Sequence, residues 1–173
     1  MDFIEITSGL SKDEVFKKAE DFLLEKGFRV SKIDQTRPWG GFFVLDEGQI
    51  REFSAMFFAD VNLSEEQLEQ KLSPKLLLVA PGARLSWQYH FRRAELWKLI
   101  SGESGIVRSE TDEEGQLMKM DFGNTISLAQ GERHRLVGLD TWGVVAEIWK
   151  HEDPENPSNE DDIVRLQDDY ARK

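Results

Sequence analysis

Residues 75–102 read KLLLVAPGARLSWQYHFRRAELWKLISG, and the fold is decided there. The short apolar runs KLLLVA and ELWKLI flank a Pro81-Gly82 turn signal and the segment ARLSWQYH, in which residue character alternates. A β-strand sends successive side chains to opposite faces. Leu85, Trp87 and Tyr89 therefore form an apolar face. Arg84, Ser86, Gln88 and His90 form a polar one carrying a guanidinium, a hydroxyl, a carboxamide and an imidazole. The rhythm continues downstream through SGES, GIVRSE, a DEEG turn, QLMKM, GNTISLA, a QGER turn, HRLVG and TWGVVAEIWK. Short strands joined by Gly-containing turns, with no helices between them, predict an all-β antiparallel sandwich or barrel.

Upstream, FFVLDEG and IREFSAMFF read as two further strands, the first following Arg37-Pro38-Trp39-Gly40-Gly41. Residues 11–26, SKDEVFKKAEDFLLEK, read as a helix: Ser11 caps it, Glu14 stands at the capping-box position and Gly27 ends it. Its apolar stripe of Val15, Ala19, Phe22 and Leu23 would pack on the sheet or on a second subunit. Ser64 to Leu72 repeats the cap pattern, with Gln67 as the third-position partner, and reads as a short inserted helix. Residues 1–35 are thus expected to be a helical extension packed on the barrel, and 36–173 a single domain. The acidic tail after His151 is expected to fold back on the body through Ile163, Val164, Leu166 and Tyr170.

With 173 residues, 39 % of them apolar, the chain can bury a sizeable core. It contains no Cys, so disulfides, thiol chemistry and thiolate metal ligands are excluded, and any metal must be held by N and O donors. A formal net charge of -11 disfavours a nucleic-acid or anionic-membrane surface but not a small anionic ligand met by a local group of Arg residues. The start, MDFIEITSGLSKDEV, shows no basic segment followed by an apolar run, and the cytoplasm is the expected location.

Glu95 follows the turn at Phe91 to Ala94 and should share a side with Trp97 and Leu99. His134 begins a strand whose next same-face residue is Leu136, so its imidazole should be partly buried, which is costly unless it is hydrogen-bonded or metal-bound. If the strands converge, Gln88, His90, Glu95 and His134 make a mixed N/O metal site. If they do not, the polar face of ARLSWQYH simply meets water. The residues alone leave both readings standing.

The spacing of Gly82, five residues, Gln88-Tyr89-His90, four residues, Glu95, six residues and Gly102 resembles the first cupin motif. Gly123-NTISL-AQ-Gly131-ER-His134 resembles the second. Arg37-Pro38-Trp39-Gly40, RLSWQYHFRRAELW, and Glu160 to Arg165 leading to Asp168-Asp169-Tyr170 make residues 36–172 similar to the cupin domain of type II mannose-6-phosphate isomerases. That domain often forms the C-terminal part of a bifunctional guanylyltransferase/isomerase. The resemblance implies a double-stranded β-helix, or jelly-roll barrel. It also implies a divalent metal, Zn2+ first with Mn2+ or Fe2+ acceptable, held by Gln88, His90, Glu95 and His134 with the Gln carbonyl oxygen as a ligand.

The implied reaction interconverts an aldose phosphate and a ketose phosphate. Arg84, on the metal face, is the expected phosphate or hydroxyl clamp, Arg135 belongs to the family's HRL triplet, and Glu147 is the candidate general base. Asp161 and Arg165 would close one end of the pocket, Arg92 and Arg93 would stand at its rim, and Trp39 and Trp97 would pack or stack on a sugar. The chain departs from the family at His90-Phe91-Arg92-Arg93, where HHHR is usual, and at Leu96, where His is usual. It departs again at Ala129-Gln130-Gly131 in place of P-x-G, at Gly138, and from Phe53 to Val79, which stands in place of a Lys-containing strand. The alternatives are a carbohydrate-binding protein without catalysis and an isomerase or epimerase of another sugar phosphate. The expected partner is a small sugar or sugar phosphate, and the barrel edges and first helix fit a homodimer.

Overall fold

The computed structural model describes residues 3–170. Its elements in chain order are α1 (Lys12–Glu25), β1 (Val30–Asp34), β2 (Gly40–Leu45), a 3-10 turn (Glu47–Gln49), α2 (Ile50–Phe57), α3 (Glu65–Leu68), β3 (Lys75–Val79), β4 (Trp87–Tyr89), β5 (Arg93–Ser109), β6 (Met118–Lys119), β7 (Thr125–Leu128), β8 (Arg133–His151) and β9 (Val164–Gln167).

The expected breaks at SGES and after HRLVG are not turns. β5 and β8 each run through them and pair antiparallel from Arg93 opposite His151 to Ser109 opposite Arg133. Register shifts between Leu99 and Ser101 and between Gly102 and Ser104 bend the ladder instead. Gly102 sits at the bend with φ +68°, and a Cβ there would lie 1.8 Å from the Trp142 carbonyl oxygen, so the bend requires glycine. The bent pair serves two half-sheets. One runs β1-β2-β3-β8-β5-β7 and the other β9-β4-β8-β5-β6.

Strand parity then sorts the core into two layers. Leu77 and Val79 of β3, Trp97 and Leu99 of β5 and Val145 of β8 point inward and meet Ile106 and Leu136 from the other half-sheet. Leu76, Leu78, Leu96, Val144, Ala146 and Ile148 point outward and are covered by Val15, Phe16, Ala19, Phe22 and Leu23 of α1 and by α2. Each of the Val, Leu, Ile and Phe side chains contributes about 1.5–3 kcal/mol on burial. The stripe of α1 is thus used on the chain's own sheet. Its capping box forms as read: Ser11 Oγ accepts from the Glu14 N–H at 3.2 Å and Glu14 Oε2 from the Ser11 N–H at 2.7 Å.

IREFSAMFF is a correction: it is helical, as α2. Ile50, Phe53, Ser54 and Phe57 are its buried residues, and that spacing of three and four is a helical period. The inserted helix is a single turn, α3, capped by Ser64 Oγ. The segment before residue 36 also contributes the edge strand β1, paired with β2, which the sequence reading does not contain. The tail returns to the body as β9, paired with β4.

Candidate metal centre and its cavity

Gln88 on β4 stands directly opposite His134 on β8, which places their side chains on one face. His90 follows at the end of β4, and Glu95 enters from the start of β5. Glu95 Oε1 lies 3.0 Å from both His90 Nε2 and His134 Nε2, and the three residues are 1–2 % exposed. Their donor atoms converge within 4.8 Å of one another.

The outer nitrogens settle what the inner ones offer. His90 Nδ1 is 2.7 Å from the Asp162 carbonyl oxygen and His134 Nδ1 is 2.9 Å from that of Glu132. A carbonyl only accepts, so each Nδ1 carries the proton and each Nε2 turns a lone pair or a second proton toward Glu95. Glu95 Oε1 and His134 Nε2 make no hydrogen bond although both are fully enclosed. Two imidazole nitrogens of fixed tautomer and one carboxylate oxygen, all buried and two of them without a hydrogen bond, are a donor set that fits a divalent cation. Burial works to raise the Glu95 carboxyl, but the charges of His90 and Arg93 and the two imidazoles facing it at 3.0 Å outweigh it and hold the group well below the ordinary carboxylate range.

Gln88 lies beside this trio. Its Oε1 accepts from Ser86 Oγ at 2.5 Å and its Nε2 is 3.5 Å from His90 Nε2. A half-turn of the amide exchanges the two atoms and presents the carbonyl oxygen that the resemblance implies as a ligand.

Through Glu95 and Gln88 the centre borders a cavity of about 140 Å³ whose lining also includes Lys75, Arg93, Trp97 and Glu147. Glu147 faces Trp97 across one strand pair and Lys75 across the next. Trp97 Nε1 donates to Glu147 Oε2 at 2.8 Å. Burial, then the negative charge of Glu95, raises the Glu147 carboxyl to about 7, with Lys75, Arg93 and the Trp97 hydrogen bond pulling the other way. Past Arg37, Phe42, Glu160 and Arg165, which line both spaces, lies a wider hollow of about 580 Å³ that adds Lys32 and Lys71.

The structure does not bring Arg84 to this cavity. Arg84 turns to the tail, where its Nε and Nη2 hold both oxygens of Asp169 at 2.7 and 2.9 Å. The parity that placed it with His90 holds as far back as Ser86 but not at Arg84, because β4 begins only at Trp87 and Arg84 makes just an isolated bridge to Val137. Arg135 is buried on the far side, donating to the Leu85 carbonyl, Glu114 and Gln167. Asp161 is exposed, whereas Arg165 and Trp39 do line the cavity.

Arg93 corrects the reading as a rim residue. It is 6 % exposed, stacks 4.1 Å over Trp149, and its Nε is 3.6 Å from Glu95 Oε2. Lys75 is a further cavity residue that the sequence reading does not contain, because that reading has residues 53–79 standing in place of a Lys-containing strand. It shares the inward parity of Leu77 and Val79, is 8 % exposed and lies 4.9 Å over Trp149. The third histidine, His151, takes a structural part: its Nε2 donates to the Lys71 carbonyl at 2.6 Å and its Nδ1 accepts from the Ser158 N–H at 2.9 Å.

Comparison with known proteins places this geometry. Two solved structures share the fold at low identity and are cupins. One is the capsular polysaccharide assembling protein CapF of Staphylococcus aureus, with a TM-score of 0.53 and 13 % identity over 90 % of this chain and 40 % of that one. The other is oxalate decarboxylase of Bacillus subtilis, with a TM-score of 0.54 and 12 % identity over 81 % of this chain and 30 % of that one. The xanthan biosynthesis protein XanB of Xanthomonas campestris pv. campestris is 28 % identical over 141 residues, 79 % of this chain but 23 % of its own length. The chain thus spans about a quarter of that relative. The model of the family "Mannose-6-phosphate isomerase C-terminal" matches residues 62–168, and the chain is a cupin belonging to that family.

Proposed function

We propose that this protein is a metal-dependent aldose–ketose isomerase acting on a small phosphorylated sugar, with mannose 6-phosphate and fructose 6-phosphate as the first pair to test. The observation that carries the reading is the buried trio His90, Glu95 and His134, in which Glu95 Oε1 and His134 Nε2 have no hydrogen bond, beside a second carboxylate whose proton affinity is raised to about 7. A divalent cation held by these three residues and Gln88, with Zn2+ first and Mn2+ or Fe2+ as alternatives, would supply Lewis-acid polarisation of a sugar oxygen.

The chain's own residues supply the rest. Glu147 takes the proton from C2 and returns it at C1. The hydroxyl proton at O2 moves to O1, so the aldose becomes the ketose with no net gain or loss of atoms. Trp97 holds Glu147 Oε2 and leaves Oε1 for the transfer. Arg93 and Lys75 place positive charge beside the oxygen on which negative charge develops. A cavity of about 140 Å³ is small beside the roughly 300–1,000 Å³ of drug-sized pockets, which suits a sugar. The phosphate then falls at the mouth among Arg37, Arg165, Lys32 and Lys71 rather than on Arg84 or Arg135. XanB and CapF, named for xanthan biosynthesis and capsular polysaccharide assembly, support a role in sugar metabolism. Among the described residues no helix is long and apolar enough to cross a membrane. A cytoplasmic location and a homodimer, the latter resting on the open sheet edges, are further parts of the proposal.

The test is metal analysis followed by incubation with a panel of hexose and pentose phosphates and detection of the product ketose or aldose. Turnover that stops on chelation and returns with metal supports the isomerase. No turnover across the panel, with saturable binding of an unphosphorylated sugar, overturns it in favour of a carbohydrate-binding protein.

A further inference from the structure

The tail segment between β8 and β9 offers no atom to the point where the trio's donor atoms converge, yet it buries a carboxylate. Asp162 is 5 % exposed, and its nearest cation, Arg92 Nε, is 3.9 Å away. Burying a carboxylate without a close counter-charge is costly unless hydrogen bonds replace its water. The replacements run mainly to the metal motif. Asp162 Oδ1 accepts from the Phe91 N–H at 2.8 Å, and Oδ2 accepts from the Arg92 N–H at 2.9 Å and from Ser158 Oγ at 2.6 Å. Its main-chain oxygen accepts from His90 Nδ1 at 2.7 Å. Arg92 donates to the Pro157 carbonyl, and Arg93 to Ser158 Oγ and the Asn159 carbonyl. Every residue from His90 to Arg93 is thus held by the segment 157–162.

The segment is itself anchored to the barrel. The Ser158 N–H donates to His151 Nδ1, His151 is the last residue of β8, and its Nε2 is fixed on the Lys71 carbonyl. The two imidazoles of the centre are consequently held in different ways. His134 is oriented by a carbonyl two residues away in its own turn, whereas His90 depends on one 72 residues distant.

We infer that the C-terminal tail orients His90 for the metal, with Asp162 as the positioning residue that joins the tail to residues 90–92. This rests on the metal reading of His90, Glu95 and His134. Loss of the Asp162 carboxylate frees two loop amides and the main chain that carries the His90 acceptor, so the imidazole loses its fixed direction. Outer partners of this kind set about 10- to 100-fold of metal affinity.

The experiment titrates Co2+ alone into the chelator-treated full chain and reads both affinity and visible absorption spectrum. Wild type should bind one equivalent. Asp162→Ala should bind about 10- to 100-fold more weakly with a changed spectrum. Ser158→Ala, which removes one hydrogen bond to the same carboxylate, should show a smaller loss in the same direction and is read alone if Asp162→Ala does not fold. Phe53→Leu, on the buried side of α2 in the outer core, serves as a destabilised control and should keep wild-type affinity. Unchanged binding and spectrum in the tail variants overturn the inference while leaving the metal centre standing, and so does an equal loss in Phe53→Leu. Failure of wild type to bind Co2+ removes the metal reading and the inference with it.

Discussion

Replacing Glu95 with Gln strikes the atom on which the centre converges. The substitution keeps the volume and one carbonyl oxygen but removes the charge that faces two imidazoles at 3.0 Å. A cation present at 100 times its dissociation constant stabilises the folded state by about 2.7 kcal/mol. For a chain of this size each kcal/mol moves the melting temperature by about 2–4 °C, so chelator-treated wild type should gain roughly 5–11 °C on adding Zn2+. If Glu95→Gln weakens binding 100-fold, the same Zn2+ contributes only about 0.4 kcal/mol, and the gain falls to roughly 1 °C.

The metal-free variant should lose less stability than an ordinary broken buried ion pair, for which about 3–5 kcal/mol is typical. The Arg93 guanidinium keeps its place over Trp149, and Glu147, relieved of the charge of Glu95, ionises more readily and compensates it. Thermal melts with and without Zn2+, together with elemental analysis of the purified protein, read both quantities. Stoichiometric metal in Glu95→Gln, or a Zn2+-induced rise equal to that of wild type, would refute the assignment.

Two further outcomes follow from the cavity. Glu147→Gln should retain metal and lower kcat by about 10²- to 10⁴-fold with little change in KM, as measured on whichever sugar phosphate is turned over; an undiminished kcat would remove Glu147 as the base. The paired reversal Lys32→Glu and Lys71→Glu, at the mouth of the wider hollow, should raise KM for the phosphorylated sugar with kcat nearly kept, and should do so less at high salt. Equal KM values at low salt would place the phosphate elsewhere.

The strand rhythm of residues 75–151 and the donor spacing of His90, Glu95 and His134 are local properties, so they are legible without coordinates. What is not legible depends on where a period starts. Reading Phe91 to Ala94 as a turn hides the fact that β5 begins at Arg93, which puts Arg93 on the same face as Glu95 and Trp97. Extending β4 back to Arg84 makes the opposite error: alternation holds for Ser86 and Gln88, but Arg84 lies before the strand in an isolated bridge to Val137. SGES has the composition of a turn because bulges and turns call on the same residues, and only the partner strand distinguishes a bend from a reversal. In IREFSAMFF the aromatic content favours a strand, but burial of Ile50, Phe53 and Phe57 on one outer face of the sheet overrides that preference. Asp162 carries no sequence signal beyond its motif, because its partners lie about 70 residues away.

The metal centre and Glu147 also act on one another, and stability against pH should expose the link. Burial first, and the negative charge of Glu95 second, lift the Glu147 carboxyl from 4.5 to about 7 in the folded protein. The folded state then binds a proton that the unfolded chain has released, so this contribution is fully present below about pH 4.5 and is lost as pH rises through 7. At about 1.4 kcal/mol per pKa unit the whole effect is roughly 3 to 4 kcal/mol, of which about two-fifths falls between pH 6 and 8. Glu95 runs the other way, but its folded value lies well below 4.5, so its gain is complete before pH 6.

Urea denaturation of the metal-free protein at pH 6 and pH 8 should therefore show a larger drop in wild type than in Glu147→Gln, a comparison in which the histidines common to both cancel. With Glu95 engaged by a cation, its charge no longer opposes ionisation of Glu147, and the difference between the two proteins should shrink. A metal-free difference that vanishes would mean that Glu147 titrates as an ordinary carboxylate. A difference unaltered by metal would mean that the two carboxylates do not share the field on which the proposed chemistry depends.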